Sequence, residues 1–188
     1  MIVLAIDPGS VTAGYALLQK DGRKIHYIAS GILKFNSEVE FLHRIKDIHD
    51  QTLKLVGLHR PDVIALESLI FVKSPTALMK LAQSRGAMLA ALCQDYHEKI
   101  FEYAPTMIKS TVTGHGHADK ESIQKFLQMY LGLKDFKTHD ESDAIAIALC
   151  HLLNHGAMMI APPAKKATRK MGNGLASALA HKIKDKAV

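Results

Sequence analysis

MIVLAIDPG, residues 1–9, is the stretch on which the fold turns. Ile2 to Ile6 is a short apolar run with β-branched members, and Asp7-Pro8-Gly9 stops it. A run of this length bounded by turn residues reads as a strand buried on both faces. It ends in an acid, so a carboxylate sits where a buried strand reaches the sheet edge. Gly14 to Leu18 and Ile25 to Leu33 continue as strands, separated by the turn signal Asp21-Gly22. Three consecutive strands joined by short turns predict an antiparallel meander.

Beyond Leu33 the period changes. Ser37 with Glu40 three residues on is a capping-box signature, predicting a helix from Ser37 to Leu55 with Gly57 as its stop. Phe41, Leu42, Ile45, Ile48, Leu53 and Leu55 recur at helical spacing. Val63 to Glu67 is a second buried strand that also ends in an acid. Pro75 suits the first turn of a helix reaching Tyr96, with Leu78, Leu81, Met88, Leu89 and Leu92 on its apolar side. A short strand (Ile100 to Tyr103), a short helix (Pro105 to Val112) and two further helices (Asp119 to Leu131, His139 to about His155) complete the pattern. The order βββαβαβααα predicts an α/β fold, a mixed five-stranded sheet with helices on both faces.

The chain has 188 residues, 48% of them hydrophobic, which suits one domain and excludes intrinsic disorder and collagen-like classes. Two cysteines, Cys93 and Cys150, are too few for a disulfide scaffold and read as reduced core thiols. The opening run lacks a basic n-region, and the longest apolar run, Ala144 to Cys150, is far below the roughly 20 residues that span a bilayer. A cytoplasmic protein with no membrane partner is expected. The net charge of +6 invites a nucleic-acid reading, but residues 161–188 carry seven basic residues against one acid. The first 160 residues are balanced, with 17 of each sign. The expected organisation is a folded domain over 1–157 and a basic tail over 158–188, disordered by composition.

Three acid groups fall at element ends: Asp7, Glu67, and the pair Asp140 and Asp143 at the start of the last helix. Three residues apart on a helix share a face, so the pair points one way. If the strands ending in Asp7 and Glu67 are parallel neighbours and the last helix packs there by its N-terminus, four carboxylates converge. Such a group repels itself unless cations neutralise it, and hard oxygen ligands suit Mg²⁺ or Mn²⁺. Two such ions can activate water against a phosphodiester. Singly, each acid also has an ordinary structural reading, as a turn former, a solvated strand end or a first-turn helix acid.

The segments IDPG (Ile6–Gly9), ALESLIF (Ala65–Phe71), KLAQSRG (Lys80–Gly86), FEYAPTMIKSTVTGHGHADK (Phe101–Lys120) and DESDAIAIALCH (Asp140–His151) resemble those of the bacterial Holliday-junction resolvase family RuvC. The resemblance runs in order from residue 1 to about 155. It implies a ribonuclease-H-like fold, a homodimer, and Mg²⁺-dependent symmetric nicking of four-way junction DNA in recombination and repair, leaving 5′-phosphate and 3′-hydroxyl ends. It further implies two Mg²⁺ ions per active site, with Mn²⁺ able to substitute, and a RuvA-RuvB branch-migration complex as partner. Asp7, Glu67, Asp140 and Asp143 match the family's catalytic, metal-binding acids. Lys109 and Lys120 match its basic residues near the scissile phosphate, in contact with DNA.

Two positions depart from the pattern or leave it open. Where family members can carry an aromatic wedge three residues after the strand-end acid, this chain has Ile70, followed by Phe71; either is a candidate to touch bases at the junction centre. Some relatives place His at the third ligand position, and His139 precedes Asp140 here. The D-x-x-D spacing favours Asp140 as ligand and leaves His139 as an auxiliary base. The alternatives are a nuclease of the same fold acting on another nucleic acid, such as precursor RNA, and a non-catalytic DNA-binding module. The stretch Asp7 to Thr12 also resembles the phosphate-binding hairpin of actin-like ATPases, but those need two such domains and this chain has one copy.

Overall fold

The computed structural model describes residues 1–69 and 74–158. Five strands and five helices follow the expected order: β1 (Ile2–Asp7), β2 (Thr12–Asp21), β3 (Lys24–Lys34), α1 (Phe41–His59), β4 (Val63–Glu67), α2 (Pro75–Tyr96), β5 (Ile100–Tyr103), α3 (Pro105–Thr113), α4 (Lys120–Leu131) and α5 (His139–Met158). The sheet order is β3-β2-β1-β4-β5, with β1–β2–β3 antiparallel and β4 and β5 parallel to β1. The central strands are apolar on both faces because both faces are covered. Val3, Ala5 and Ala65 point to α3, α4 and α5, while Leu4, Ile6, Ile64 and Leu66 point to α1 and α2.

Helix α5 is the keel of one layer. Ala144 through Cys150 are all buried, as expected of a helix enclosed between a sheet and two other helices. His151 follows them into the core, where its Nδ1 meets the Tyr103 hydroxyl at 2.8 Å. Burial, then His155 and Lys20, push the His151 pKa down to about 4, so the ring is neutral in the fold.

Helix α1 departs from expectation at both ends. It starts at Phe41 after Glu40, with no side-chain cap, and it runs through Gly57 to His59. Arg44 explains the start. Its guanidinium is buried and donates from Nε to the Asn36 carbonyl (2.9 Å), from Nη1 to that of Ser10 (2.9 Å), and from Nη2 to those of Ser37 (3.0 Å) and Val39 (3.2 Å). The 36–39 segment is thereby held as a loop wrapped around a charged side chain, rather than a first helical turn. The inward face is Ile48, Thr52, Leu55 and Val56, while Leu42 and Leu53 are exposed. Arg44→Ala should cost about 3 kcal/mol, since four carbonyls lose their donor, and lower Tm by roughly 10 °C in a thermal melt.

In α2, Met88 and Leu92 are fully buried and Leu78, Leu81 and Leu89 half-buried. Cys93 is exposed, contrary to the core reading, because Ala91 and Leu92 take the inward positions of that turn; Cys150 is buried. Among the described residues no helix is long and apolar enough to cross a membrane. The wedge candidates Ile70 and Phe71 and the basic tail beyond Met158 lie outside the described residues.

Candidate active site

The site begins in the sheet. β1 and β4 are parallel neighbours in the register Ile6↔Leu66, so Asp7 and Glu67 leave the sheet side by side at its carboxyl edge. On the other flank of β1, Gly14 of β2 lies opposite Asp7. Gly14 is where α5 lands: a Cβ there would sit 1.9 Å from the Asp140 carbonyl oxygen and 3.1 Å from the Glu141 nitrogen. Only a residue without a side chain lets the first turn of α5 come so close to the strand.

That landing brings the acids together. Asp7 feels Asp143, Glu67 and Asp140 through space, with Lys120 as the opposing charge. Burial first, and then those three carboxylates, push the Asp7 pKa up to about 8. Glu67 is also raised, chiefly by burial and then by Asp143, against Lys109 and Lys120. Burial would lower the Lys120 pKa, but Asp143, Asp7 and Asp140 raise it above the usual value. The Lys120 Nζ donates to Asp143 Oδ2 at 3.1 Å, and the Thr12 hydroxyl donates to Asp140 Oδ2 at 2.7 Å. Glu67, Asp143, Lys109 and Lys120 line one cavity of about 220 Å³ with an apolar floor that includes Ile108 and Ile123.

The donor set fits a divalent cation. Four carboxylates are coupled, and Asp7 is driven toward protonation by burial and then by the other three, so a cation relieves repulsion that nothing on the protein fully offsets. Among the described residues, no three His, Cys, Asp or Glu side chains form a ready-made metal-holding group. Repulsion between uncompensated carboxylates opposes their closing on a common point.

His139 does not line the cavity of Glu67 and Asp143. Its ring is exposed, its Nδ1 lies 3.2 Å from the Gln124 amide, and it lines a separate cavity with Asp135 and Lys137. His115 and His117 are exposed in the loop before α4. Three residues of the site's frame escaped sequence reasoning: Thr12, Gly14 and Glu141. Glu141 is buried, accepting from the Ser30 hydroxyl (2.6 Å) and the Lys137 N–H (2.7 Å), while its own N–H donates to the Thr138 hydroxyl (3.2 Å). Thr138-x-x-Glu141 is a capping signature that was readable at the start of α5. Gly14 carried no local signal, and Thr12 none beyond its place in the hairpin motif that starts at Asp7, because their partners lie more than 120 residues away.

A mixed sheet of this order, with acids at the ends of two parallel central strands and on the first turn of a helix beside them, defines a nuclease of the ribonuclease-H-like class. Residues 3–151 match the sequence model of the family Crossover junction endodeoxyribonuclease RuvC, and the chain belongs to that family. RuvC of Ralstonia pickettii is 34% identical over 175 residues, covering 93% of this chain and 95% of the relative. RuvC of Mannheimia succiniciproducens is 40% identical over 152 residues, covering 80% and 74%. Among solved structures, T. thermophilus RuvC in complex with Holliday junction substrate superposes with a TM-score of 0.76 at 28% identity, over 85% of this chain and 96% of that one. The yeast mitochondrial Holliday junction resolvase shares the fold, with a TM-score of 0.58 at 14% identity over 79% of this chain and 77% of that one.

Proposed function

We propose that this chain is a structure-selective endonuclease that resolves four-way DNA junctions by paired symmetric nicks, leaving 5′-phosphate and 3′-hydroxyl ends. The observation that carries the reading is the electrostatic convergence of Asp7, Glu67, Asp140 and Asp143 at one sheet edge, with Lys120 against Asp143. In this reading the four acids hold two Mg²⁺ ions, for which Mn²⁺ can substitute. Bound there, divalent cations supply an activated water and charge for the leaving 3′-oxygen.

The chain's own residues do the rest. Asp7, coupled to the other three acids, would be a ligand common to the cations. Asp143 holds Lys120 at the mouth of the cavity. Lys120 opens α4, whose start is capped by the Asp119 carboxylate, so its ammonium is the group offered to a phosphate. Lys109, which lines the same cavity, adds a second positive charge to the oxygens that gain charge in the transition state. A homodimer presents two such sites, matching the two-fold symmetry of a junction. Cytoplasmic action with a RuvA-RuvB branch-migration complex completes the proposal.

The test is incubation of the protein with a synthetic four-way junction and Mg²⁺. Symmetric nicks are expected; equal cutting of junction, linear duplex and RNA hairpin would refute junction selectivity. Binding without cutting in either metal would point to a non-catalytic module. Lys120→Ala should lower the cleavage rate about 100-fold at saturating enzyme, with junction affinity changed only a few-fold in a gel-shift titration.

A further inference from the structure

The β1–β2 turn is built to hold one hydroxyl still. Gly9 packs so tightly that a Cβ there would lie 1.8 Å from the Thr12 carbonyl oxygen. The flanking backbone is tied on both sides: the Arg44 guanidinium donates to the Ser10 carbonyl, and the Phe35 N–H donates to that of Val11. Two residues on, Gly14 admits the Asp140 backbone. Thr12 therefore sits between two close approaches that only glycine allows, half-buried, with its hydroxyl 2.7 Å from Asp140 Oδ2. Among the described residues, Asp140 is the acid of the four whose side chain is held from the hairpin that also carries Asp7.

We infer that Thr12 is a positioning residue, whose hydroxyl holds Oδ2 of Asp140 and thereby aims Oδ1 at the cation shared with Asp7. An ionised carboxylate only accepts, so the hydroxyl must donate, and the bond leaves one Asp140 oxygen free to ligate. Without it the side chain turns freely about its terminal bond, and ligation costs the entropy of fixing it again. Partners of this kind, one step behind the ligands, typically change metal affinity or activity about 10–100-fold. The inference rests on Asp140 being a ligand, as proposed above.

The experiment compares Thr12→Val, which keeps the branched shape and removes the hydroxyl, with Thr12→Ser, which keeps the hydroxyl. Mn²⁺ binding to the metal-free, full-length protein is measured by calorimetry, with Asp140→Asn alongside. Thr12→Val should weaken Mn²⁺ binding about 10-fold and shift the Mn²⁺ dependence of junction cleavage by the same factor. Thr12→Ser should stay within about two-fold of the parent on both readouts. Unchanged Mn²⁺ affinity in Thr12→Val, with weakened affinity in Asp140→Asn, overturns the role of Thr12 and leaves the metal site standing. Thr12→Ser as weak as Thr12→Val also overturns it, since packing rather than the hydroxyl would then be responsible. Unchanged affinity in Asp140→Asn as well would remove the proposed ligand set beneath both.

Discussion

Asp7→Asn is expected to lower junction cleavage at least 1,000-fold while leaving junction binding within a few-fold of the parent. The amide keeps the shape of the side chain but removes the charge that couples to the other three acids. If Asp7 ligates both cations as proposed, its loss would take away both the activated water and the stabilisation of the leaving oxygen, each a large part of the barrier. Single-turnover cleavage and a gel-shift titration on the same junction check the two halves. Equal losses in both would mean that Asp7 serves binding rather than chemistry.

The same substitution should make the metal-free protein more stable, and the sign follows from linkage. Asp7 has its pKa raised from 3.8 to about 8, so the folded state holds a proton that the unfolded chain has released. Stability therefore falls as pH rises through that window, and the full penalty is felt above pH 8. A displacement of that size corresponds to about 6 kcal/mol at 1.36 kcal/mol per pH unit, and solvent at the open mouth reduces the expected effect to about 2–3 kcal/mol. Glu67 adds to it with the same sign. His151 works the other way, since its pKa is pushed down to about 4, and its contribution rises with pH only up to about 6.5. Denaturant melts without metal, between pH 6.5 and 8, isolate the acids: the parent should lose stability across that range and Asp7→Asn should lose less. Saturating Mg²⁺ should restore the parent by about 2–3 kcal/mol if its concentration is 100 times Kd.

Gly14→Ala should damage both stability and cleavage. Its Cβ would meet the Asp140 carbonyl oxygen at 1.9 Å and the carbonyl carbon at 2.4 Å, both backbone atoms that cannot rotate aside. Either β2 or the first turn of α5 must retreat by on the order of 1 Å, at a cost of about 2–4 kcal/mol. Because Asp140 and Asp143 ride on that turn, a displacement of this size should also cost cleavage about 100-fold at a temperature where the variant is folded. Gly57→Ala is the matched control. No atom lies within 4 Å of a Cβ there, and Gly57 is inside α1. It should stabilise the protein by about 0.5–1 kcal/mol and leave cleavage unchanged.

Much of this was legible in the chain because the signals are local. Ile2 to Ile6 and Val63 to Glu67 announce buried strands by their apolar runs, and the acids that close them are visible at once. Asp140 and Asp143 share a helix face by spacing alone. Local signals also misled where a distant group competed for the same backbone. Ser37 and Glu40 have capping-box spacing, but Arg44 takes the nearby carbonyls and α1 begins at Phe41. Cys93 sits among apolar neighbours in the chain, yet the helical turn faces it outward.

By itself, then, the sequence determined the order of elements, the acids at their ends and, through its motifs, the family. Tertiary structure alone decided that β4 lies beside β1, that α5 lands on Gly14, and that Thr12 reaches Asp140. The division has one physical cause. Strand and helix formation depends on side chains within a few residues of one another, whereas charge coupling and ligand aiming depend on distances between groups remote in sequence. A carboxyl pKa moved up to about 8 reflects burial first and then three acids from other elements, and both exist only once the sheet and α5 have packed.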